Sequence, residues 1–476
     1  MFKKIQAFMF VFVLSIIFSC TKEDTTVVEN SPDPDPTGAN PIAMPDNPQN
    51  IGDATKGYEY LVTGDYMSSG IPYDIFLLGF GENKENILNR TGDNAVIPHD
   101  FNTVMAPNNV KVVAPNCLQC HAGKINGNYI IGLGNNDYDF TINRESQIPM
   151  LNLAITTIYG EGSEEWQAYD QFRKAITAIG PKTVTVTRGS NPADKITQVL
   201  AAYRDPNSLE WLNSPNINVT GEVIPTDVPA WWLVKKKNAI FYNGMGRKNF
   251  LRYMMGSSLL TVPGKVKMEE IDTHMKDILA YLYSIEPPKY PFDINSSLAS
   301  AGETIFNNKC SSCHGTYGVN ESYPNLLFPL ELINTDSAMA NFYTSDETFS
   351  NYFLNWFGSG WFSSGSNALE IVPEKGYIAP PLDGIWATAP YFHNGSVPTL
   401  EDVLNSSSRP VYWSRTFTST DYNQQKVGWN YTVEYAKLNK NTYDTTLFAH
   451  GNGGHAFGDS LSAEDRKALL EYLKTL

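Results

Sequence analysis

Residues 117–121 read Cys-Leu-Gln-Cys-His and residues 310–314 read Cys-Ser-Ser-Cys-His, so one five-residue pattern occurs twice in the chain. In this pattern the two thiols attach a haem covalently, and the adjacent imidazole supplies one axial ligand to its iron. The residues concerned are Cys117, Cys120, His121, Cys310, Cys313 and His314. The sequence therefore predicts two c-type haems, with His121 and His314 as the proximal ligands.

Paired cysteines also occur in thioredoxin-like redox motifs and in four-cysteine zinc sites. Neither of these requires a histidine directly after the second cysteine, whereas this chain has that histidine both times. The fifth cysteine, Cys20, lies near the N-terminus, and no further cysteine remains for a disulfide framework. Two haem sites are the interpretation that uses every residue of both patterns.

The N-terminal fifty residues have the pattern of an export signal followed by a tether. Two lysines precede an apolar stretch over residues 8–18, which is too short to span a bilayer comfortably. The residues before Cys20 resemble a bacterial lipobox, so residues 1–20 are predicted to be a lipoprotein signal peptide and Cys20 to be acylated. An ordinary cleaved signal is the alternative. Residues 21–50, rich in Pro, Asp, Asn and Thr, are predicted to form a flexible tether.

These features predict a protein of the bacterial cell envelope, in the periplasm or at the outer-membrane surface, held to the membrane through its N-terminal lipid only. The chain has 476 residues and a formal net charge of -15. Such an acidic chain is an unlikely match for nucleic acid, which we exclude as a partner. A small, basic redox protein that donates or accepts electrons would be attracted to this charge.

Helical patterns flank the second haem motif. Residues 301–309 read as a helix that runs into the motif, and residues 465–476 read as a closing helix with an N-terminal capping box that starts at Ser462. A similar amphipathic helix over residues 268–285 stops at Pro287. Residues 277–285 match residues 468–476 locally, which indicates an internal repeat.

The predicted fold class is mainly α, with two class I cytochrome c-like haem domains and long loops. The boundary is expected near residue 290, which gives an N-terminal haem domain over residues 51–290 and a C-terminal one over residues 291–476. Short β insertions are expected in the first domain, at residues 110–115 and 129–134, where the composition is strand-like.

The second axial ligand of each iron separates electron transfer from catalysis. Beyond the proximal pair five histidines remain. We interpret His99, His274 and His393 as structural. His450 and His455 lie in a glycine-rich run, and glycines let the backbone approach a porphyrin closely. His455 is the predicted sixth ligand of the second haem. A mobile loop with solvated histidines is the alternative.

No comparable ligand is apparent for the first haem. Residues 229–242 are dense in aromatic side chains, and Trp231, Trp232 and Phe241 are the candidates for an apolar distal pocket. An ordinary core or interface is the alternative explanation. If the first iron keeps an open position, it is the reactive one.

Residues 379–400, which read APPLDGIWATAPYFHNGSVPTL, resemble the signature of the bacterial di-haem cytochrome c peroxidase and MauG superfamily. The resemblance implies two cytochrome c-like domains whose haems are close enough to exchange electrons. Tyr391, inside this signature, is a candidate for a position near the haem edge. Some relatives hold a calcium ion between the haems, and the sequence leaves that open.

The chain departs from the classical peroxidases after residues 399–404, because no methionine follows that would serve as an axial ligand. Several later segments resemble the rubber oxygenase branch instead, namely residues 408–410, 426–429, 443–445 and 454–458. In that branch the histidine of the Gly-His segment is the distal ligand of the C-terminal haem, and the N-terminal haem binds dioxygen. His455 is the residue to which this role is carried over.

The predicted function is that of an exported di-haem c-type oxidoreductase. It activates peroxide or dioxygen at the N-terminal haem, while the C-terminal haem relays electrons. One alternative is oxidative cleavage of an apolar alkene, as in rubber oxygenases, and another is a non-catalytic electron-transfer cytochrome. The resemblance does not fix the substrate, because function depends on the pocket and not on the fold.

Overall fold

The computed structural model describes residues 40–476. The predicted signal peptide, the acylation site Cys20 and most of the predicted tether lie outside these residues. Within residues 40–476, no helix is both long and apolar enough to cross a membrane.

The end of the predicted tether belongs to the folded body. Strand Ile42–Ala43 pairs antiparallel with Leu326 and Leu327, and Met44 is buried. The backbone N–H of Met44 also donates to the carbonyl of Asn325. The prediction that the tether extends to residue 50 is therefore wrong for its last part, because these apolar residues pair with a strand from the other half of the chain.

Fifteen α-helices occur within the described residues. They are α1 Ala54–Thr63, α2 Tyr73–Phe80, α3 Leu118–His121, α4 Ile148–Ile158, α5 Glu164–Ile179, α6 Ala193–Ala202, α7 Phe250–Met254, α8 Lys265–Ser284, α9 Ser296–Lys309, α10 Ser311–His314, α11 Leu330–Ile333, α12 Ala338–Tyr343, α13 Thr348–Ser359, α14 Leu400–Leu404 and α15 Ala463–Leu473. Short 3-10 helices join them at Gly92–Val96, Arg144–Gln147, Gly180–Lys182, Trp231–Lys236, Met255–Leu260, Gly318–Asn320, Trp361–Ser363, Ile385–Ala387 and Ser406–Ser408.

The same part of the chain contains fifteen strands of two to five residues. They are β1 Ile42–Ala43, β2 Ile71–Pro72, β3 Phe101–Met105, β4 Lys111–Pro115, β5 Ala122–Ile125, β6 Asn128–Ile131, β7 Gly246–Lys248, β8 Leu326–Pro329, β9 Leu369–Ile371, β10 Gly376–Ile378, β11 Tyr412–Ser414, β12 Tyr422–Asn423, β13 Gly428–Trp429, β14 Thr432–Glu434 and β15 Thr442–Asp444. They form small antiparallel sheets in the orders β1-β8-β10, β2-β4-β3 and β14-β11-β15, and the pairs β5-β6, β7-β9 and β12-β13.

Most elements predicted near the haem motifs are confirmed. Helices α8, α9 and α15 occur where the apolar periodicity indicates them, and Ser462 caps α15 by accepting from the N–H of Asp465. Strands β4 and β6 also occur where expected. Short β insertions were predicted for the first domain, and eight strands that were not predicted lie after residue 290. The fold is thus mixed rather than mainly α, since the long loops satisfy their backbone groups by pairing with one another.

Two helix pairs repeat one arrangement. Helix α1 crosses α8 where Gly57 meets the carbonyl of Asp277, and α9 crosses α15 where Gly302 meets the carbonyl of Ala468. A side chain at either glycine would collide with that carbonyl oxygen. Asp277 and Ala468 are the first residues of the two segments that match in sequence, so the internal repeat has a structural counterpart.

The hydrophobic cores do not follow the predicted boundary near residue 290. The largest core joins helices α1, α6 and α8 with residues 339–369 of the other half. The second core joins α9 and α15 with residues 125–133 and 230–233 of the first half. Each helix pair is therefore completed by segments from the opposite half of the chain.

Candidate haem sites

Strand β4 leads directly into the first haem motif. Asn116 fixes the turn: its Oδ1 accepts from the N–H of Leu118 at 2.9 Å, and its Nδ2 donates to Asn102 Oδ1 at 2.8 Å. Helix α3 follows with the thiols of Cys117 and Cys120, neither of which forms a disulfide. Residues three apart on a helical turn lie on one side, so both thiols are presented to the same group.

His121 ends helix α3 as a buried imidazole. Burial lowers its pKa to about 4, so the ring is neutral at physiological pH. Its Nδ1 has no hydrogen-bond partner. The ring of Trp231 stacks on it with centroids 4.6 Å apart and 19° between the planes. Trp231 thus packs directly against the imidazole that would hold the iron of the first haem.

The other two candidates for the distal pocket lie elsewhere. Trp232 is fully buried in the second core, and its Nε1 donates to the carbonyl of Asp383 at 2.8 Å. Phe241 is 36% exposed and packs edge-on against Tyr253 at 5.3 Å. The structure therefore does not gather Trp231, Trp232 and Phe241 into one pocket, because the two tryptophans of one 3-10 helix enter different cores.

The second motif is held in place through its histidine. His314 Nδ1 lies 2.8 Å from the carbonyl oxygen of Pro380, an acceptor, so Nδ1 carries the proton and Nε2 keeps its lone pair. Tyr317 donates its hydroxyl to the carbonyl of His314 at 3.1 Å and accepts from the N–H of Leu382 at 2.6 Å. Residues 380–382 thus orient the imidazole for metal binding.

His455 faces His314. The two ring centroids are 6.2 Å apart, with 61° between the planes. A bond between a metal and an imidazole nitrogen is about 2.0 Å long, so two imidazoles on opposite sides of one metal ion have centroids roughly 6 Å apart. Burial, together with the neighbouring His314 ring and the charge of Arg409, lowers the pKa of His455 to about 3. The structure brings a second neutral imidazole to the place that a sixth ligand requires.

Arg409 holds the loop that carries His455. Its Nη1 donates to the carbonyls of Asn452 at 2.8 Å and Gly454 at 2.6 Å, and its Nη2 donates to the carbonyl of His455 at 3.2 Å. The Nε of Arg409 donates to the carbonyl of Asp402, which ties the loop to α14. One guanidinium therefore fixes the position of the predicted ligand.

Gly454 adopts a backbone conformation and makes a close contact that favour glycine. It has a φ of 74°, and a side chain there would collide with the backbone of Asn334. The N–H of His455 donates to the carbonyl of Ile333 at 2.7 Å. The glycine lets the loop pack on the end of α11, and this packing aims His455.

The segment 379–400 supports the same loop from its other side. Asn394 Nδ2 donates to the carbonyl of Gly451 at 2.9 Å, and Ser396 Oγ donates to that carbonyl at 3.0 Å. Tyr391 is buried, and its hydroxyl donates within the protein, to the carbonyls of Ile385 and Val427. Asn394 and Ser396 therefore position the histidine loop.

The remaining histidines pack against tyrosines or the backbone. His99 lies edge-on to Tyr129, His274 stacks on Tyr60, His393 stacks on Tyr377, and His450 Nδ1 lies 2.6 Å from the carbonyl of Phe448. Within residues 40–476, Trp231 is the ring neighbour of His121, and no second histidine faces it. The two motif histidines thus have different surroundings.

One family model matches a short segment of the chain. Residues 376–414 match the family model described as RoxA-like, cytochrome c-like. The matched segment overlaps residues 379–400, on which the resemblance to the di-haem cytochrome c peroxidase and MauG superfamily rests, and it is consistent with that resemblance.

Two similar proteins come from Sinorhizobium fredii (strain NBRC 101917 / NGR234), and both are described as uncharacterised. Protein y4iM is 25% identical over 316 residues, which are 57% of this chain and 69% of y4iM. Protein y4iJ is 27% identical over 253 residues, 40% of this chain and 41% of y4iJ. The chain thus spans less than half the length of the second relative.

Two solved structures are similar to this chain. A MauG-like protein associated with microbial copper homeostasis is 15% identical, with 64% of this chain and 88% of that chain covered and a TM-score of 0.28. The hydrazine synthase of Kuenenia stuttgartiensis, determined under 20 bar xenon, is 14% identical, with 59% and 86% covered and a TM-score of 0.23.

The residues of this protein fit haem c at both motifs. Cys117 packs against the first core and Cys310 against the second, as two separate attachment sites require and one four-cysteine zinc site does not allow. The buried Nδ1 atoms of His121 and His455 lack hydrogen-bond partners within the protein. Among residues 40–476, no group of three or more His, Cys, Asp or Glu side chains is arranged to hold a calcium or other metal ion.

Sequence reasoning missed Arg409, Asn394 and Ser396 as supports of the histidine loop. All three lie in or beside segments that we quoted for the family resemblance, but their hydrogen-bond partners are more than forty residues away in the chain. The family resemblance could therefore have indicated these three residues, whereas the sequence immediately around each of them could not.

Proposed function

We propose that this protein is an exported di-haem c-type oxidoreductase. In this proposal the haem at residues 117–121 activates peroxide or dioxygen, and the haem at residues 310–314 relays electrons. When bound, a haem iron with an open axial position supplies the chemistry that activates these oxidants.

The observation that carries the proposal is the difference between the two motif histidines. His314 faces His455 at a spacing that suits two ligands on one iron. His121 has a tryptophan as its ring neighbour and no facing histidine within the described chain. An iron closed by two imidazoles favours electron transfer, whereas an iron without a second protein ligand favours binding of a small oxidant.

The protein's own groups also connect the two sites. Trp231 stacks on His121, and the next residue, Trp232, donates to the carbonyl of Asp383. Asp383 lies three residues after Pro380, whose carbonyl accepts from His314. A path of one ring contact, two hydrogen bonds and short backbone segments therefore runs from His121 to His314, which supports a relay between the haems.

The experiment is single-turnover reaction of the reduced, full-length protein with hydrogen peroxide, or with dioxygen, followed by stopped-flow absorption. A pyridine-haemochrome assay first establishes two haems per chain. We expect the first haem to react and the second to lose its electron afterwards, with Trp231→Leu slowing the second step. Simultaneous, slow oxidation of both haems would instead identify a non-catalytic electron carrier.

Oxidative cleavage of an apolar alkene is a second candidate function, favoured by the match of residues 376–414 to the RoxA-like model. Incubation with a soluble polyene and dioxygen, without added reductant, tests it by mass spectrometry of the products. Carbonyl-terminated fragments support this function. Consumption of peroxide with a reduced donor protein and no polyene cleavage supports the peroxidase.

Cell-envelope attachment through Cys20 is part of the proposal. We propose a small redox protein as electron partner, and the net charge of -15 favours a basic one. Cys20→Ala is expected to release the protein from the membrane fraction and to abolish its labelling by a fatty-acid analogue. Unchanged labelling would contradict the assignment of Cys20.

A further inference from the structure

A short loop of the first half of the chain is bonded directly to the first haem motif. In this loop, residues 135–139, the N–H of Asn135 donates to the carbonyl of Cys120 at 2.9 Å. The side chain of Asn135 donates to the carbonyl of Gln119, also at 2.9 Å. Both acceptors belong to the motif, so a displacement of this loop acts on the segment that holds the first haem. We call residues 135–139 the bridging loop.

The bridging loop meets the second half of the chain at one carbonyl oxygen. Asn136 Nδ2 donates to the carbonyl of Ala389 at 3.0 Å, and Trp429 Nε1 donates to the same carbonyl at 2.8 Å. Ala389 belongs to the segment 379–400, which positions both imidazoles of the second site. A chain of hydrogen bonds therefore connects the first motif with the segment that supports the second.

Arg415 joins the two sides of this junction. Its side chain is only 4% exposed. Its Nη2 donates to the carbonyl of Asn136 at 2.5 Å and to Asp137 Oδ1 at 3.0 Å. Its guanidinium carbon lies 4.0 Å from the ring centre of Phe417 and 4.5 Å from that of Trp429. One buried cation thus contacts both the bridging loop and the tryptophan that donates to the same carbonyl as the loop.

Arg415 is buried, whereas other cations on the bridging loop are more exposed. Burial lowers the pKa of Arg415 to about 10, against the raising effect of Asp137, so the guanidinium is charged at neutral pH. Arg188 Nε donates to the carbonyl of Asp137 at 3.0 Å, and Lys440 Nζ lies 2.6 Å from Asp139 Oδ2. An exposed ion pair contributes little, whereas removal of one partner from a buried pair is costly. We therefore expect Arg415 to have the largest effect on the position of the loop.

We propose that Arg415 is a positioning residue for electron transfer between the two haems. By fixing the bridging loop against segment 379–400, it sets the position of the first motif relative to the second site. Among residues 40–476, its hydrogen bonds and ring contacts involve neither a motif residue nor His455, so it acts through the loop. The inference rests on the proposed relay, and it concerns the relay separately from the activation of an oxidant.

Flash photoreduction of the oxidised, full-length, haem-loaded protein tests this proposal. A flavin semiquinone delivers one electron, and absorption then follows the redistribution of that electron between the haems, without peroxide or dioxygen. A displacement of about 1 Å can cost about a hundredfold in the rate of a reaction that depends on geometry, so we expect Arg415→Gln to slow the redistribution at least about tenfold. The absorption and EPR spectra of both oxidised haems should remain those of the wild type.

Arg252→Gln is the matched control. Arg252 is also buried, forms an ion pair with Asp272 at 3.0 Å and lies 3.9 Å from the ring centre of Trp361. Its hydrogen bonds go to residue 272 and to residues 361–364 instead of the bridging loop. Arg252→Gln should lower stability, as measured by chemical denaturation, without slowing the redistribution. The comparison separates an effect on the relay from a general loss of stability.

Two further variants keep the test decisive if Arg415→Gln folds poorly. Arg415→Lys keeps the charge, but an ammonium group cannot stack on a ring and donate within one plane, so the redistribution should still be slower than in the wild type. Asp137→Asn removes the ionic partner at a position whose side chain is 30% exposed, and it should slow the redistribution by a smaller factor.

The possible results distinguish this inference from the proposed function. Wild-type redistribution in the Arg415 and Asp137 variants, or equal slowing in Arg252→Gln, would overturn the inference and leave the relay intact. Absence of redistribution in the wild type would contradict the relay and this inference together. A protein that does not react with peroxide or dioxygen, but whose redistribution depends on Arg415, would contradict only the proposed activation of an oxidant.

Discussion

The backbone of His455 is held by Ile333 and Arg409. His450, the other histidine of the loop, is not one of these contacts. We predict that His455→Ala converts the second haem from a low-spin, six-coordinate state to a high-spin one, because the ring that faces His314 at 6.2 Å is removed. Absorption and EPR spectra of the oxidised protein measure this change. His450→Ala, in the same loop, is the control and should keep the wild-type spin state. A low-spin spectrum in His455→Ala would contradict the ligand assignment.

Asp194 is a residue at which pH is expected to act on stability. Its folded pKa of about 6 lies above the ordinary value of 3.8, so its favourable contribution is present below pH 3.8 and is lost as pH rises through about 6. Asp194→Asn does not ionise. The melting temperature of the variant, relative to that of the wild type, should therefore rise between about pH 4 and pH 7. A difference that does not change with pH would show that Asp194 titrates normally.

At the scale of elements, the loop that carries His455 depends on Arg409. Lysine keeps the charge but cannot donate in several fixed directions, so Arg409→Lys should lose most of the bonds to the loop carbonyls. We expect a mixture of low-spin and high-spin second haem and a loss of about 1–3 kcal/mol in the free energy of unfolding. Arg466→Lys, which affects one bond to the carbonyl of Leu461, is the control. A wild-type spin state would mean that the loop is held by other contacts.

The crossing of α9 and α15 depends on a missing side chain. Gly302→Ala should separate the helices, because the added methyl group would meet the carbonyl oxygen of Ala468. Overpacking of this kind costs about 1–3 kcal/mol, which chemical denaturation measures. Gly358→Ala, in helix α13, has open space around it and should be neutral or slightly stabilising. Equal stability of the two variants would contradict the close crossing.

Elements with strong local signals were predictable from the sequence, and those that depend on distant contacts were not. Helices α8 and α15 have apolar stripes, and α15 has a capping box, so both were found. Helix α1 was missed, because its buried face consists of Gly57, Leu61 and Val62 and gives a weak apolar period. The same difference applies to single residues. His455 was identified from its glycine-rich surroundings and the family resemblance, whereas the role of Arg409 depends on carbonyls that lie far along the chain.

At the scale of the whole molecule, the two halves of the chain complete each other. Residues 339–369 pack into the core around α1 and α8, and residues 230–233 pack into the core around α9 and α15. A linear boundary near residue 290 marks the connection between α8 and α9 but does not divide the cores. Because the halves interlock in this way, the neighbouring residues Trp231 and Trp232 pack into different cores. The local sequence around them does not predict that difference.

The two proposed haem sites differ in the group that faces each motif histidine, a tryptophan for His121 and an imidazole for His314. Titration of the fully reduced protein with carbon monoxide, with EPR of the oxidised form as a companion, measures this difference directly. We predict that one equivalent of carbon monoxide binds per chain, and that EPR shows one low-spin centre with two axial imidazoles and one centre that responds to added ligand. Two low-spin centres without carbon monoxide binding, or two equivalents bound, would contradict the assignment of His121 to the open site and of His314 with His455 to the closed one.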